Sequence, residues 1–334
     1  MEILRGLGLL FITLGLFSVF SLKAPKGQSA MSGLANAAIA TFLIEAILKY
    51  IAGDFFNIQF FGETGSISGS MGGVAAAALT MLQMGVSPVL AITAGVAVGG
   101  FGILPGFIAG YFLGLIAPSI EAKLPQGLNV ILTALILAPF ARGIAFMVNP
   151  IINSTLTNIG SMINVAADQS PYFMGIMLGG IMKVTCTSPL SSMALTAMLG
   201  LTGLPMGIAA VATFGGTFTN GVLFHRLKLG DKGNVIAVML EPLTQADIVT
   251  KNAIPIYVSD FMGGALAGLS AAYFGIINNA PGTASPIPGL LAPFAFNPPM
   301  TVLVAMIFAA IGGIIAGIIG GFIFKDRKKL EVVL

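Results

Sequence analysis

Charge is what this chain has least of. Only 8% of its 334 residues are Asp, Glu, Lys or Arg, against about 25% in a soluble domain. No hydrophilic block is long enough for a soluble catalytic or regulatory domain. The net charge of +3 is small and spread over predicted loops, a pattern that suits membrane topology and not a nucleic-acid surface. A single cysteine, Cys186, excludes an internal disulfide and a cysteine-rich metal site, and a single histidine, His225, excludes a multi-histidine one. Tryptophan is absent. No Gly-x-Ser-x-Gly elbow and no nucleophile–base pair is visible, and no Walker-type glycine loop occurs, so the chain is not expected to hydrolyse ATP by itself. No metal and no cofactor is expected.

What is present is apolar. The chain is 56% hydrophobic with a mean hydropathy of +0.99, which predicts an all-α integral membrane protein. A span needs roughly 20 apolar residues, so there is room for about ten transmembrane helices with short connections. Forty-four glycines favour close helix packing and interrupted helices. The first apolar run after Arg5 reads as a retained helix and not a cleaved signal. Glu45 and Lys49 fall on one face of the second. Gly62–Met84 opens Gly/Ser-rich around Glu63 and closes Ala-rich, the pattern of a re-entrant hairpin. Pro105 is expected to divide residues 87–119, in which glycines 106, 110 and 114 mark a packing face. The span at 127–148 is expected to end near Pro139, leaving Arg142 interfacial, with residues 150–170 a separate amphipathic helix or loop. Lys183 is expected to close the span at 171–184. The similarity of Gly69-Ser70-Met71 to Ser191-Ser192-Met193 leaves an internal repeat open. His225, Arg226, Lys228 and Lys232 predict a cytoplasmic loop, and Lys325, Arg327, Lys328 and Lys329 a cytoplasmic C-terminus.

The stretch 234–260, NVIAVMLEPLTQADIVTKNAIPIYVSD, is the most informative. It carries Glu241, Gln245, Asp247, Lys251 and Asp260 among apolar segments, and Pro242 and Pro255 interrupt it. A charged, broken segment at membrane depth needs protein, water or solute as partner. It reads as one polar wall of a solute site or as an ordinary cytoplasmic loop. Carboxylates accept hydrogen bonds from hydroxyls, and amides both donate and accept. The candidate binding residues are therefore Glu63, Thr64, Glu241, Thr244, Gln245, Asp247, Asn278 and Asn279, the last two from the turn-rich stretch 278–296.

Three stretches, FGETGSISGSMGG, MLEPLTQADIVTKN and NNAPGTASPIPGLLAPFAF, carry a resemblance over nearly the full length. The chain resembles the membrane component, enzyme IIC, of bacterial phosphoenolpyruvate:sugar phosphotransferase systems, in particular the stand-alone branch that includes the perfringolysin regulator of clostridia. In sugar IIC proteins a Gly-Ile-Thr-Glu-Pro motif presents a glutamate to the hydroxyl that receives the phosphoryl group. Here the residues are Val238-Met239-Leu240-Glu241-Pro242, so Glu and Pro match while Gly and Thr do not. The resemblance implies a single IIC-like domain over 1–334, about ten helices with re-entrant hairpins, and Glu241 as the catalytic residue. It also implies a homodimer in the bacterial inner membrane and a sugar-like solute. The phosphoryl donor would be a separate phosphorylated IIB protein. Two alternatives stand beside this permease reading: a secondary transporter that needs no partner, and a membrane solute sensor that regulates gene expression.

Overall fold

The computed structural model describes residues 2–124, 128–188 and 191–325. Among them there are helices and turns and no strand. The backbone groups of an apolar chain must bond to each other wherever lipid replaces water, and helices do this within one segment. Two compact units form among the described residues, one within Gly8–Gly160 with Met193–Gly200, the other within Met1–Leu7, Ser161–Ser192 and Leu201–Leu334.

The amino-terminal unit holds most of α1 (Glu2–Lys23) and then α2 (Gly27–Ala38), which runs on as π-helix through Ile39–Leu43 and Ala46–Phe55. Next come α3 (Gln59–Ser70), α4 (Gly72–Gln83), α5 (Pro88–Ala97) and α6 (Ile103–Glu121). Most of α7 (Asn129–Gln169) completes the unit. Helices meet here through small residues. A Cβ at Gly110 would lie 2.6 Å from the Ala77 carbonyl, one at Gly114 would lie 2.7 Å from Met84 Sδ, and Gly106 faces the Gly73 backbone. The expected glycine face of α6 is therefore the face that packs on α4. The Glu45–Lys49 pair forms at 3.1 Å.

Two sequence expectations need correction. The break in 87–119 lies before Pro105, at Val98–Gly102, where Gly100 has φ of 88°. Pro105 sits in the first turn of α6, where a missing N–H costs nothing. Residues 127–148 and 150–170 are not separate elements: α7 is continuous over 41 residues through Pro139 and Pro150. Arg142 does not end it. Its guanidinium donates to the carbonyls of Ala97 at 3.0 Å and Gly99 at 3.3 Å, capping the C-terminal end of α5.

The carboxy-terminal unit contains α8 (Pro171–Thr187), α10 (Gly203–Leu227), α11 (Lys232–Leu240), α12 (Ala246–Lys251), α13 (Ala253–Phe274), α14 (Pro286–Leu291) and α15 (Pro299–Ile323). The short α9 (Ser192–Met198) straddles the boundary. Helices α8 and α13 meet backbone to backbone, Gly175 and Gly179 against Gly264 and Gly268. On α15, Gly312, Gly313, Gly317 and Gly320 are buried, whereas Leu303, Ile307, Ile311, Ile315 and Ile319 are exposed apolar side chains about one turn apart. An outward stripe of that kind is a lipid-facing surface.

By length and composition, six helices among the described residues can cross a membrane: Gly27–Asp54, Ile103–Glu121, Asn129–Gln169, Gly203–Leu227, Ala253–Phe274 and Pro299–Ile323. Helices α3 and α4, bent by 56° at their junction, would make a seventh if they form one span. Most of the basic C-terminal cluster lies outside the described residues.

Candidate functional site

The break at Glu241 follows from its neighbours. Asp231 starts α11 with a capping box: its carboxylate accepts from the Asn234 N–H at 2.9 Å, and the Asn234 side chain accepts from the Asp231 N–H at 2.9 Å. Pro242 ends the helix, because its ring excludes the helical conformation from the residue before it. Glu241 is accordingly extended, with φ of −149° and ψ of 96°. Pro242 then opens a 3₁₀ turn, Pro242–Gln245, that leads into α12. The Glu-Pro dipeptide thus sets a carboxylate at a kink.

That kink is well tied. The Thr217 hydroxyl of α10 donates to the Met239 carbonyl. Thr244 donates to the Glu241 carbonyl at 2.8 Å, and the Asn234 amide donates to Gln245 Oε1 at 2.7 Å. The buried side of the segment, Val238, Val249 and Ile256, joins Leu223 and Phe224 in an apolar cluster. Glu241 itself is half-buried. Burial pushes its carboxyl above the ordinary carboxylate range, while the Leu243 N–H and the Lys183 ammonium pull the other way.

The other predicted residues separate into distinct settings. Asp247 is exposed in the first turn of α12. Asn278 is fully buried; its amide donates to Thr283 at 2.8 Å and accepts from the Ala280 N–H at 2.9 Å. Asn279 accepts from the Gly203 N–H at 3.0 Å, at the start of α10. Both are engaged in shaping the 275–285 loop. Glu63 and Thr64 belong to the amino-terminal unit. Glu63 is exposed and accepts from Gln59 at 2.8 Å, and the Thr64 hydroxyl donates to the Phe60 carbonyl at 2.8 Å.

Close to Glu241 lies a group that the sequence pattern did not place in the site. Lys183 of α8 and Asp260 of α13 are both fully buried, with Nζ 3.9 Å from Oδ1. Asn220 of α10, also fully buried, joins them. With its amide nitrogen turned toward Asp260 it donates to Oδ1 at 2.8 Å and accepts from Lys183 Nζ at 3.0 Å. Glycines make room for the lysine stem: a Cβ at Gly216 would lie 2.6 Å from Lys183 Cε, and one at Gly264 would lie 2.5 Å from its Cβ. Lys183 does not close its helix toward water. It stands one turn before the end of α8, inside protein. The available signal was an ionisable residue inside each of two apolar runs, since such residues face a bundle interior and pair.

Fold and site together define a multi-pass helical membrane protein with a carboxylate presented at a broken segment. The family model for the phosphotransferase system EIIC component matches residues 28–333, and the chain belongs to that family. No curated protein and no solved structure matches it.

Proposed function

We propose that this protein is a permease component that binds a sugar-like solute at Glu241 and moves it across the bacterial inner membrane as one IIC-like domain. The observation that carries this reading is the Glu241–Pro242 kink: a half-buried carboxylate, steadied by the Leu243 N–H, at a helix break inside an EIIC-family chain. A carboxylate so held accepts hydrogen bonds from a sugar hydroxyl, and beside a phosphorylated donor it orients that hydroxyl and accepts its proton. Thr244, Gln245 and Asp247 extend the same polar edge. Glu63 and Thr64 remain the candidate binding residues of the amino-terminal unit, while Asn278 and Asn279 hold the loop beside α10 in shape. In this reading the bent α3–α4 pair and the 234–252 and 276–298 segments are re-entrant and bring the membrane elements to about ten. The protein is a homodimer of the stand-alone branch that includes the perfringolysin regulator, with its C-terminus in the cytoplasm.

A second reading is favoured by the motif itself. Val238 and Leu240 stand where sugar IIC proteins have Gly and Thr, a departure that touches phosphotransfer more than binding. Movement of solute without a IIB partner, or solute sensing, would then be the activity. Uptake by proteoliposomes of a labelled sugar panel, with and without a phosphorylated IIB protein, separates the readings. Phosphorylated product that appears only with IIB supports the permease component. Unmodified uptake by the protein alone supports the second reading, and binding without uptake supports a sensor. Failure of every sugar to bind would overturn the sugar assignment.

A further inference from the structure

Thr217 of α10 is buried and makes a bond that its neighbours do not. A threonine inside a helix ordinarily gives its hydroxyl to a carbonyl three or four residues back in the same helix. Thr213, one turn earlier, does so, donating to the Ala209 and Ala210 carbonyls at 3.0 and 2.9 Å. Thr185 and Thr187 of α8 follow the same rule. Thr217 instead donates out of its helix, to the Met239 carbonyl of α11. It does so from a fixed helix, because the same stretch of α10 is anchored in other directions. Thr219 donates to the Gly313 carbonyl of α15 at 3.0 Å, and Asn220 joins Lys183 of α8 to Asp260 of α13. Gly221, one turn on from Thr217, leaves room for Met239: a Cβ there would lie 2.4 Å from its Sδ.

The carbonyl that Thr217 reaches is one that the break strands. Helix α11 ends at Leu240, so the Met239 carbonyl is among its last four, which lack partners within a helix. In an unbroken helix the Leu243 N–H would donate to it. The break at Glu241–Pro242 takes that donor away, and the Thr217 hydroxyl replaces it. Pro242 favours the break, but α7 runs through Pro139 and Pro150, so a proline can also stay inside a helix of this protein. A continuous helix from α11 into α12 is therefore the competing arrangement. It would satisfy Met239 from its own backbone and take Glu241 out of its extended conformation.

We propose that Thr217 is a positioning residue for Glu241. By occupying the Met239 carbonyl it holds the helix break open and keeps the carboxylate at the kink. Its service to solute binding rests on the reading of Glu241 given above; its hold on the kink does not.

Spin labels on cysteines introduced at the exposed Ile236 of α11 and Lys251 of α12 bracket the break. Cys186 is buried and stays unlabelled. Pulsed electron paramagnetic resonance on solute-free protein then reads the distance between them. Thr217→Val keeps the volume and loses the hydroxyl, and should add a second distance population, that of the continuous helix. Thr217→Ser keeps the hydroxyl and should show the wild-type distance alone. Thr217→Ala loses the hydroxyl without adding bulk and serves in place of the valine variant if that one does not fold. In calorimetry against the sugar panel, the variant without the hydroxyl should bind about tenfold more weakly, and the serine variant as wild type does. A wild-type distance distribution without the hydroxyl overturns the proposal, as does a serine variant that behaves like the valine one. So does a changed distance with unchanged affinity. A wild type that binds no sugar removes the binding reading of Glu241 instead, and the distances alone then decide whether Thr217 holds the kink.

Discussion

At the residue scale, two acids stand in different settings, Glu241 half-buried at a helix break and Asp260 fully buried beside Lys183. Folding raises the Glu241 carboxyl, so the folded chain holds that proton more tightly than the unfolded chain does. Stability from this group therefore falls as pH rises through the window above the ordinary carboxylate value, and the penalty is complete above the folded-state pKa. The melting temperature of wild type relative to Glu241→Gln should decline across that window, as followed by scanning fluorimetry; a difference flat with pH would show that Glu241 is not so placed. Glu241→Gln should also weaken sugar binding at least tenfold in calorimetry. Asp260→Ala is different in kind. It strands a buried ammonium, a change that typically costs about 3–5 kcal/mol, and should lower the melting temperature whatever the pH. The kink at Glu241 was legible in the sequence because a Glu-Pro dipeptide amid apolar residues puts a carboxylate where a helix must break. The partnership of Lys183 with Asp260 was not legible. The two residues are far apart in the chain, and Lys183 stands so near Thr185 and Ser188 that it resembles a helix end.

At the element scale, close helix contacts carry the fold. Gly110→Ala would press a methyl into the Ala77 backbone, 2.6 Å from its carbonyl oxygen, and should cost about 1–3 kcal/mol. Gly143→Ala on α7 meets nothing within 4 Å and should stabilise by about 0.5–1 kcal/mol, the helix-propensity gain alone. Denaturant or thermal melts of the two variants should move in opposite directions. The glycine spacing of α6 was readable in advance because its period matches the helix. The ends of α5 and α7 were not. Proline signals a break only where the lost hydrogen bond cannot be tolerated, and membrane helices tolerate it more readily than soluble ones. Pro139 and Pro150 stay inside a helix for that reason, while Gly99 and Gly100 make the turn that Pro105 seemed to announce.

At the scale of the whole molecule, the apolar stripe of α15 and six span-length helices among the described residues suit a membrane protein, and the chain belongs to the EIIC family. Native mass spectrometry from detergent should give twice the chain mass if the homodimer proposal holds; a monomer would refute it. The seam between α8 and α13 has a mechanical consequence. At Gly175, Gly179, Gly264 and Gly268 the two backbones meet directly, so those four positions have no rotamers to rearrange. Whatever rocking accompanies turnover must be absorbed elsewhere, and these two rods will travel as one stiff lever that carries Lys183 and Asp260 without separating them. Paired spin labels across the seam should therefore report one unchanging distance through the whole cycle.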